Sequence, residues 1–91
     1  MEFEWDPQKD IANQNKHEVV FSEAVSVFAD PLAWTIPDPD HSESEYRYLT
    51  TGYPSERRLV IVSHTYRGGT IRIISARRAT KRERKVYEEG D

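Results

Sequence analysis

Apolar and polar positions along this chain change period several times, and each change marks an element. Phe3 and Trp5 alternate with acids over Glu2 to Trp5, which predicts a short strand. Asp6-Pro7 supplies an N-cap carboxylate and a proline suited to a first helical turn, so a helix is expected from about Pro7 to Lys16. Phe21, Ala24, Val25 and Phe28 then fall at helical spacing, with Ser22 as the expected N-cap. Asp30-Pro31 should end that helix, because the residue before a proline resists the α region. Ala33 to Ile36 fits a further short strand, and Pro37 to Glu45 reads as an acidic, proline-punctuated loop and the most mobile segment.

The second half is β-rich until its last turns. Tyr46 to Thr51, Leu59 to Tyr66 and Thr70 to Arg78 predict three antiparallel strands. The four-residue apolar run from Leu59 to Val62 marks its strand as central, and Gly68-Gly69 marks the hairpin turn after it. Regular alternation along the last strand places Ile71, Ile73, Ser75 and Arg77 on one face and Arg72, Ile74, Ala76 and Arg78 on the other. Thr80-x-x-Glu83 matches a capping box and opens a final helix. The expected class is therefore α+β: a small antiparallel sheet packed by N-terminal helices and a C-terminal helix.

Length bounds this picture, since 91 residues suit one domain spanning 1–91 with an adequate but not generous core. No apolar run approaches the ~20 residues of a membrane span, and the first residues lack the pattern of a secretory signal, so a soluble chain is expected. The absence of cysteine excludes disulfides, thiolate metal sites and thiol nucleophiles, and suits a reducing cytoplasm.

Charge changes the picture more. The formal net charge of −3 conceals a polarised chain, with −9 over residues 1–45 and +6 over residues 46–91. Eight of the 13 Lys and Arg lie between Arg67 and Lys85. Lys81, Arg82, Arg84 and Lys85 occupy the first turns of the final helix, where the macrodipole favours acids. Two readings fit equally: a phosphate-binding cleft where the strand end meets the helix start, or a solvated basic face paired with acids of the first half. The partner implied by the first is a polyanion, most simply nucleic acid.

Candidate chemistry is sparse. His17 has a side chain suited to proton transfer, but a histidine closing a helix also stabilises the dipole. Glu83 fits three roles: capping group, partner of Arg77 or Arg78, or general base. Tyr87 lies one turn beyond Glu83 and suits a bond to phosphate or simple packing. His41 and His64 read as non-catalytic. No metal is expected, because no His/Asp/Glu set shows ligand spacing such as H-E-x-x-H, and neither G-x-S-x-G nor a P-loop is present.

Several motifs in order, W-D-P-x-K (Trp5–Lys9), N-x-x-K-H (Asn13–His17), F-x-E-A-x-x-V-F-x-D-P (Phe21–Pro31), E-x-R-Y (Glu45–Tyr48) and I-R-I-I-S-A-R-R-A-T-x-R-E-R-x-x-Y (Ile71–Tyr87), resemble the BrnT toxin family over nearly the whole chain. One departure stands out: the family commonly carries glycine after K-H, where this chain has Glu18. The resemblance implies a type II toxin with a fold related to RelE and ParE toxins, neutralised by a BrnA-type antitoxin in a hetero-oligomer. It also implies metal-independent RNA cleavage, in which the ribose 2′-OH attacks the adjacent phosphate and leaves a cyclic phosphate end, with no cofactor. On the motif positions it implies catalytic roles for His17, Arg77, Glu83 and Arg84, and RNA binding by Lys16, Arg72, Arg78 and Lys81. Two other functions stay open at this point: a ParE-like toxin acting on a protein such as gyrase, and a non-catalytic nucleic-acid-binding module.

Overall fold

The computed structural model describes residues 1–41, 45–54 and 58–90 of the chain; residues 42–44 of the acidic loop lie outside the described residues. The element order is β1 (Glu2–Glu4), α1 (Pro7–His17), α2 (Phe21–Val27), β2 (Trp34–Pro37), β3 (Tyr48–Gly52), β4 (Val60–Arg67), β5 (Thr70–Arg78) and α3 (Lys81–Glu89). One five-stranded sheet runs β1-β5-β4-β3-β2, so the apolar run that marked β4 as central does lie in the middle strand. The sheet is not wholly antiparallel as expected: β1 pairs with β5 in parallel, Phe3 opposite Ile71. The intervening helices make that possible, since a parallel pair needs a crossover connection.

Register sorts the side chains into two layers. Val60, Val62, Ile71, Ile73 and Ala76 point toward α2, where they bury Val19, Phe21, Ala24 and Val27 in one core cluster. Phe3, Trp5 and Phe28 pack against its rim, with Trp5 edge-on to Phe21. Also buried in this layer, His64 stacks on Tyr48 and meets Phe28 and Tyr66 edge-on. Its Nε2 lies 2.7 Å from the Thr50 hydroxyl, which in turn lies 2.7 Å from that of Thr35. Burial lowers its pKa to about 4, so the ring is neutral at physiological pH.

The regular alternation expected along β5 is interrupted. A register shift at Ser63/His64 puts His64 opposite Ile73 and Ser63 opposite Ser75, leaving Ile74 as the extra residue of a bulge. Beyond it the faces exchange. Ala76 joins Ile71 and Ile73 in the core, and Arg77 turns to the other face with Ser75. The bulge thus places Ala76, in place of Ser75 and Arg77, on the core face, with Arg78 following it at the exposed strand end.

Two polar side chains complete the helical layer. β1 covers only Thr70 to Arg72 of β5. Further along that open edge, the Asn13 amide stands in for a strand: its Nδ2 donates to Ala76 O and Val19 O at 2.8 Å, and its Oδ1 accepts from Ala76 N at 3.0 Å. Helix α2 begins at Phe21, one residue before the expected Ser22 cap, and its N-cap Val20 contributes no side-chain bond. Asp10 of α1 supplies the missing acceptor, taking the Phe21 N–H at 2.8 Å. A cap from a distant helix satisfies the same orphan donor that a local serine would.

Candidate active site at the end of the sheet

The face away from α2 carries Trp34 and Ile36 of β2, Leu49 and Thr51 of β3, Ile61 of β4 and Arg77 of β5. Helix α3 runs along one side of this face. Between them lies an apolar-floored hollow of about 300 Å³, walled by Arg77, Arg82, Glu83, Val86 and Tyr87. Thr80 places the helix: its hydroxyl accepts Glu83 N–H at 3.1 Å while Glu83 Oε1 accepts Thr80 N–H at 2.8 Å, the expected capping box.

Arg77 and Glu83 meet here. The guanidinium donates from Nη1 to Oε1 at 2.8 Å and from Nη2 to Oε2 at 2.9 Å, with a longer bond from Nη1 to Arg78 O at 3.3 Å. These bonds from Arg77, aided by Thr80 N–H, hold the Glu83 pKa down at about 2 against partial burial. The same pairing raises the pKa of Arg77. Such a carboxylate is a weak base at neutral pH and a firm anchor. The Arg77 edge formed by Nε–H and the second Nη2–H is not used by these bonds and has the fork geometry that phosphate accepts.

The other basic residues divide sharply. Arg72 bonds Glu4 at 2.7 Å across the β1–β5 pair, and Arg78, on the core side of β5, reaches Glu18 at 3.2 Å. Arg67 reaches Glu45 at 3.5 Å, so these three pair with acids of the first half as the solvated-face reading requires. By contrast, no ion pair among the described residues engages Lys81, Arg82, Arg84 or Lys85, all exposed on α3. Arg82 walls the hollow; Arg84 points to the flank where Glu88 bonds the Tyr53 hydroxyl at 2.5 Å.

Exposed Lys16 and half-buried His17 close α1 beside the outer edge of β5. No hydrogen bond or ion pair among the described residues joins His17 to Arg77 or Glu83. Glu18 follows as the C-cap with φ 60°, the only non-glycine residue among those described in the left-handed region. That is the conformation glycine adopts without strain.

Sequence reasoning passed over the apolar half of the site. Trp34 and Ile36, about half exposed, belong to a strand whose partners were not visible from the sequence. Arg82 shares a helix face with Val86, an i to i+4 spacing that the capping box would have fixed. Tyr87 bonds Leu32 O at 2.9 Å and lies 3.4 Å from Asp30 Oδ2, whose carboxylate also accepts Tyr53 N–H at 2.7 Å and Leu32 N–H at 2.9 Å. Tyr87 therefore ties α3 to the loop between α2 and β2.

Among the described residues, no group of three or more His, Cys, Asp or Glu is placed to hold a metal ion, and no helix is long and apolar enough to cross a membrane. A comparison with curated proteins finds no match. Among solved structures, the fold is similar to that of the Brucella abortus ribonuclease toxin, BrnT, determined at 1.1 Å resolution. The TM-score is 0.72 at 23% identity, covering 89% of this chain and 99% of that one. The family model of the ribonuclease toxin BrnT of type II toxin-antitoxin systems matches residues 5–83, so the chain belongs to the BrnT family of ribonuclease toxins.

Proposed function

We propose that this ribonuclease toxin cleaves RNA without a metal, at the strand-to-helix junction where Arg77 is anchored by Glu83. The observation that carries this reading is the pair of parallel hydrogen bonds from Arg77 to Glu83, which fixes a guanidinium at the rim of an open hollow and leaves one of its edges for phosphate. Arg77 would stabilise the charge that develops on phosphorus, an effect of about 2.7–4 kcal/mol per donor in comparable sites. Glu83 acts through Arg77 as a positioning residue, because its depressed pKa suits it poorly to take a proton. Lys81, Arg82, Arg84 and Lys85 hold the RNA backbone on α3, with Lys16 and Arg78 contributing beyond the other side of the strand end. His17 is the proton-transfer candidate on that side. Arg72, held by Glu4 at the far end of β5, is a scaffold residue in this scheme.

The expected products are a 2′,3′-cyclic phosphate and a 5′-hydroxyl, formed when the ribose 2′-oxygen attacks phosphorus and the 5′-oxygen departs. The fold is read as RelE/ParE-like, the compartment as the cytoplasm, and the neutralising partner as a BrnA-type antitoxin whose acids cover the cations of α3. Incubation of the purified chain with RNA in EDTA tests the chemistry. Cleavage with cyclic phosphate ends is the expected result, whereas a requirement for added divalent metal, or binding without new ends, would overturn it.

A further inference from the structure

Resting on that reading, we infer that Trp34 is a stacking platform for a base of the RNA strand next to the scissile phosphate. Trp34 stands on the outer strand of the sheet, 46% exposed, on the ridge between two hollows. One is the hollow walled by Arg77 and Arg82. The other, of about 840 Å³, is lined by Tyr53, Tyr87 and the loop carrying Asp30.

Trp34 lines its hollow together with exposed Ile36 and Val86, and a contiguous apolar patch of this kind, rimmed by charged side chains, marks a surface that a ligand covers. The orientation of the indole is held from behind. Tyr87 meets it edge-on at 5.6 Å and 79°, and Tyr53 meets Tyr87 at 6.1 Å and 68°. Tyr87 is itself fixed by its bond to Leu32 O. The ring is thus preorganised, and ordering it on binding costs little further entropy.

The chemistry around Trp34 selects the occupant. An apolar ring on one wall of a hollow and arginines on another match a nucleotide, which has a flat apolar base and an anionic phosphate a few bonds apart. The four cations of α3, which no ion pair among the described residues engages, continue that charge beyond the hollow, as a strand of several phosphates would require. Arg77 would take the phosphate and Trp34 the neighbouring base, so the position of the cut relative to the stacked base would be set by the width of the hollow. Stacking tolerates any base, so this platform positions the strand without reading its sequence.

A fluorescence titration with a short 2′-O-methyl oligoribonucleotide, which binds but cannot be cut, tests this. The full-length chain should show quenching of tryptophan emission that is absent in Trp34→Phe, the remaining Trp5 being packed against Phe21. Trp34→Ala should bind the strand about 10- to 100-fold more weakly with an unchanged salt slope, and Trp34→Phe should recover most of that loss. A strand of the same length with every base removed should bind the native chain and Trp34→Ala alike. Equal affinity of native and Trp34→Ala for the intact strand, with no quenching, would overturn the stacking role while leaving RNA cleavage intact. Failure of the native chain to bind either strand would overturn both. Quenching by a co-expressed antitoxin alone, and not by RNA, would assign the ridge to the protein partner and overturn it as well.

Discussion

Glu83 holds Arg77 with both carboxylate oxygens while one of them also accepts the Thr80 N–H, so a single acidic side chain caps α3 and aims the guanidinium. Charge, helix start and strand end are fixed together. Separating the two functions is the first test. Arg77→Ala leaves the cap in place and should lower RNA cleavage by about 10²- to 10³-fold, the range for loss of one preorganised donor. Arg77→Lys keeps the charge but not the fork, and should recover only part of the rate. Glu83→Gln keeps the side-chain oxygen for Thr80 but loses the ionic anchor, so cleavage should fall with little change in helix content. Because Glu83 has a pKa of about 2 when folded against an ordinary 4.5, its contribution to stability is full above pH 4.5 and is lost as pH falls toward 2. Between pH 4 and 5 the cleavage rate should accordingly show no acid limb that Glu83→Gln removes.

Asn13 belongs to a motif that suggested chemistry, yet its amide completes the sheet edge at Ala76. Replacing it by Ala leaves three buried backbone groups unpaired and should cost at least about 3 kcal/mol, from roughly 1–3 kcal/mol per unsatisfied group. Asn13→Asp should be at least as damaging, because a carboxylate oxygen would face the Val19 and Ala76 carbonyls. Urea denaturation measures both; a loss under 1 kcal/mol in Asn13→Ala, on the scale of one ordinary hydrogen bond, would refute the edge-pairing role.

Glu18 occupies a left-handed C-cap, where a β-carbon is strained by about 1–2 kcal/mol. Its exposed pair with Arg78 offsets little of that. Comparing Glu18→Gly with Glu18→Ala removes the ion pair from both and isolates the backbone. Glycine should be the more stable by about 1 kcal/mol once its greater freedom in the unfolded chain is counted. An alanine variant of equal or higher melting temperature would contradict the assignment.

His64 gives the core a pH dependence. Its pKa is about 4 in the folded chain and near 6.5 in the unfolded one, so the unfolded state binds the extra proton between those values. Stability from this residue is complete above pH 6.5 and should decline by about 3 kcal/mol as pH falls to 4, taking 1.36 kcal/mol per unit. Its Nδ1 has no hydrogen-bond partner among the described residues, consistent with a ring held mainly by packing. In His64→Phe the decline over that window should vanish; an unchanged decline would place its origin elsewhere.

Much of this fold is legible locally. The Asp6-Pro7 start, the Gly68-Gly69 hairpin and the Thr80/Glu83 box each depend on residues within a few positions, and each forms as the sequence indicates. What escapes notice is set by partners far away in the chain. On paper the alternation from Thr70 to Arg78 is unbroken, and only pairing with β4 reveals the bulge that turns Arg77 outward. The Phe21 cap comes from Asp10, and β1 finds a parallel neighbour nearly 70 residues away. The same limit applied to the site. Arg77 and Glu83 were visible as candidates, with the pairing of Glu83 to Arg77 or Arg78 one of three roles left open, while Trp34 became part of the site only once the β2–β3 pairing placed it beside α3.

The most direct measurement is single-turnover cleavage of RNA in EDTA by the native chain and by Arg77→Ala at matched melting temperature, with the ends of the products identified. The expected result is cyclic phosphate ends from the native chain and a rate about 10²- to 10³-fold lower in the variant. Cleavage by Arg77→Ala at the native rate, from a folded protein, would contradict the claim that this arginine, aimed by Glu83, receives the scissile phosphate.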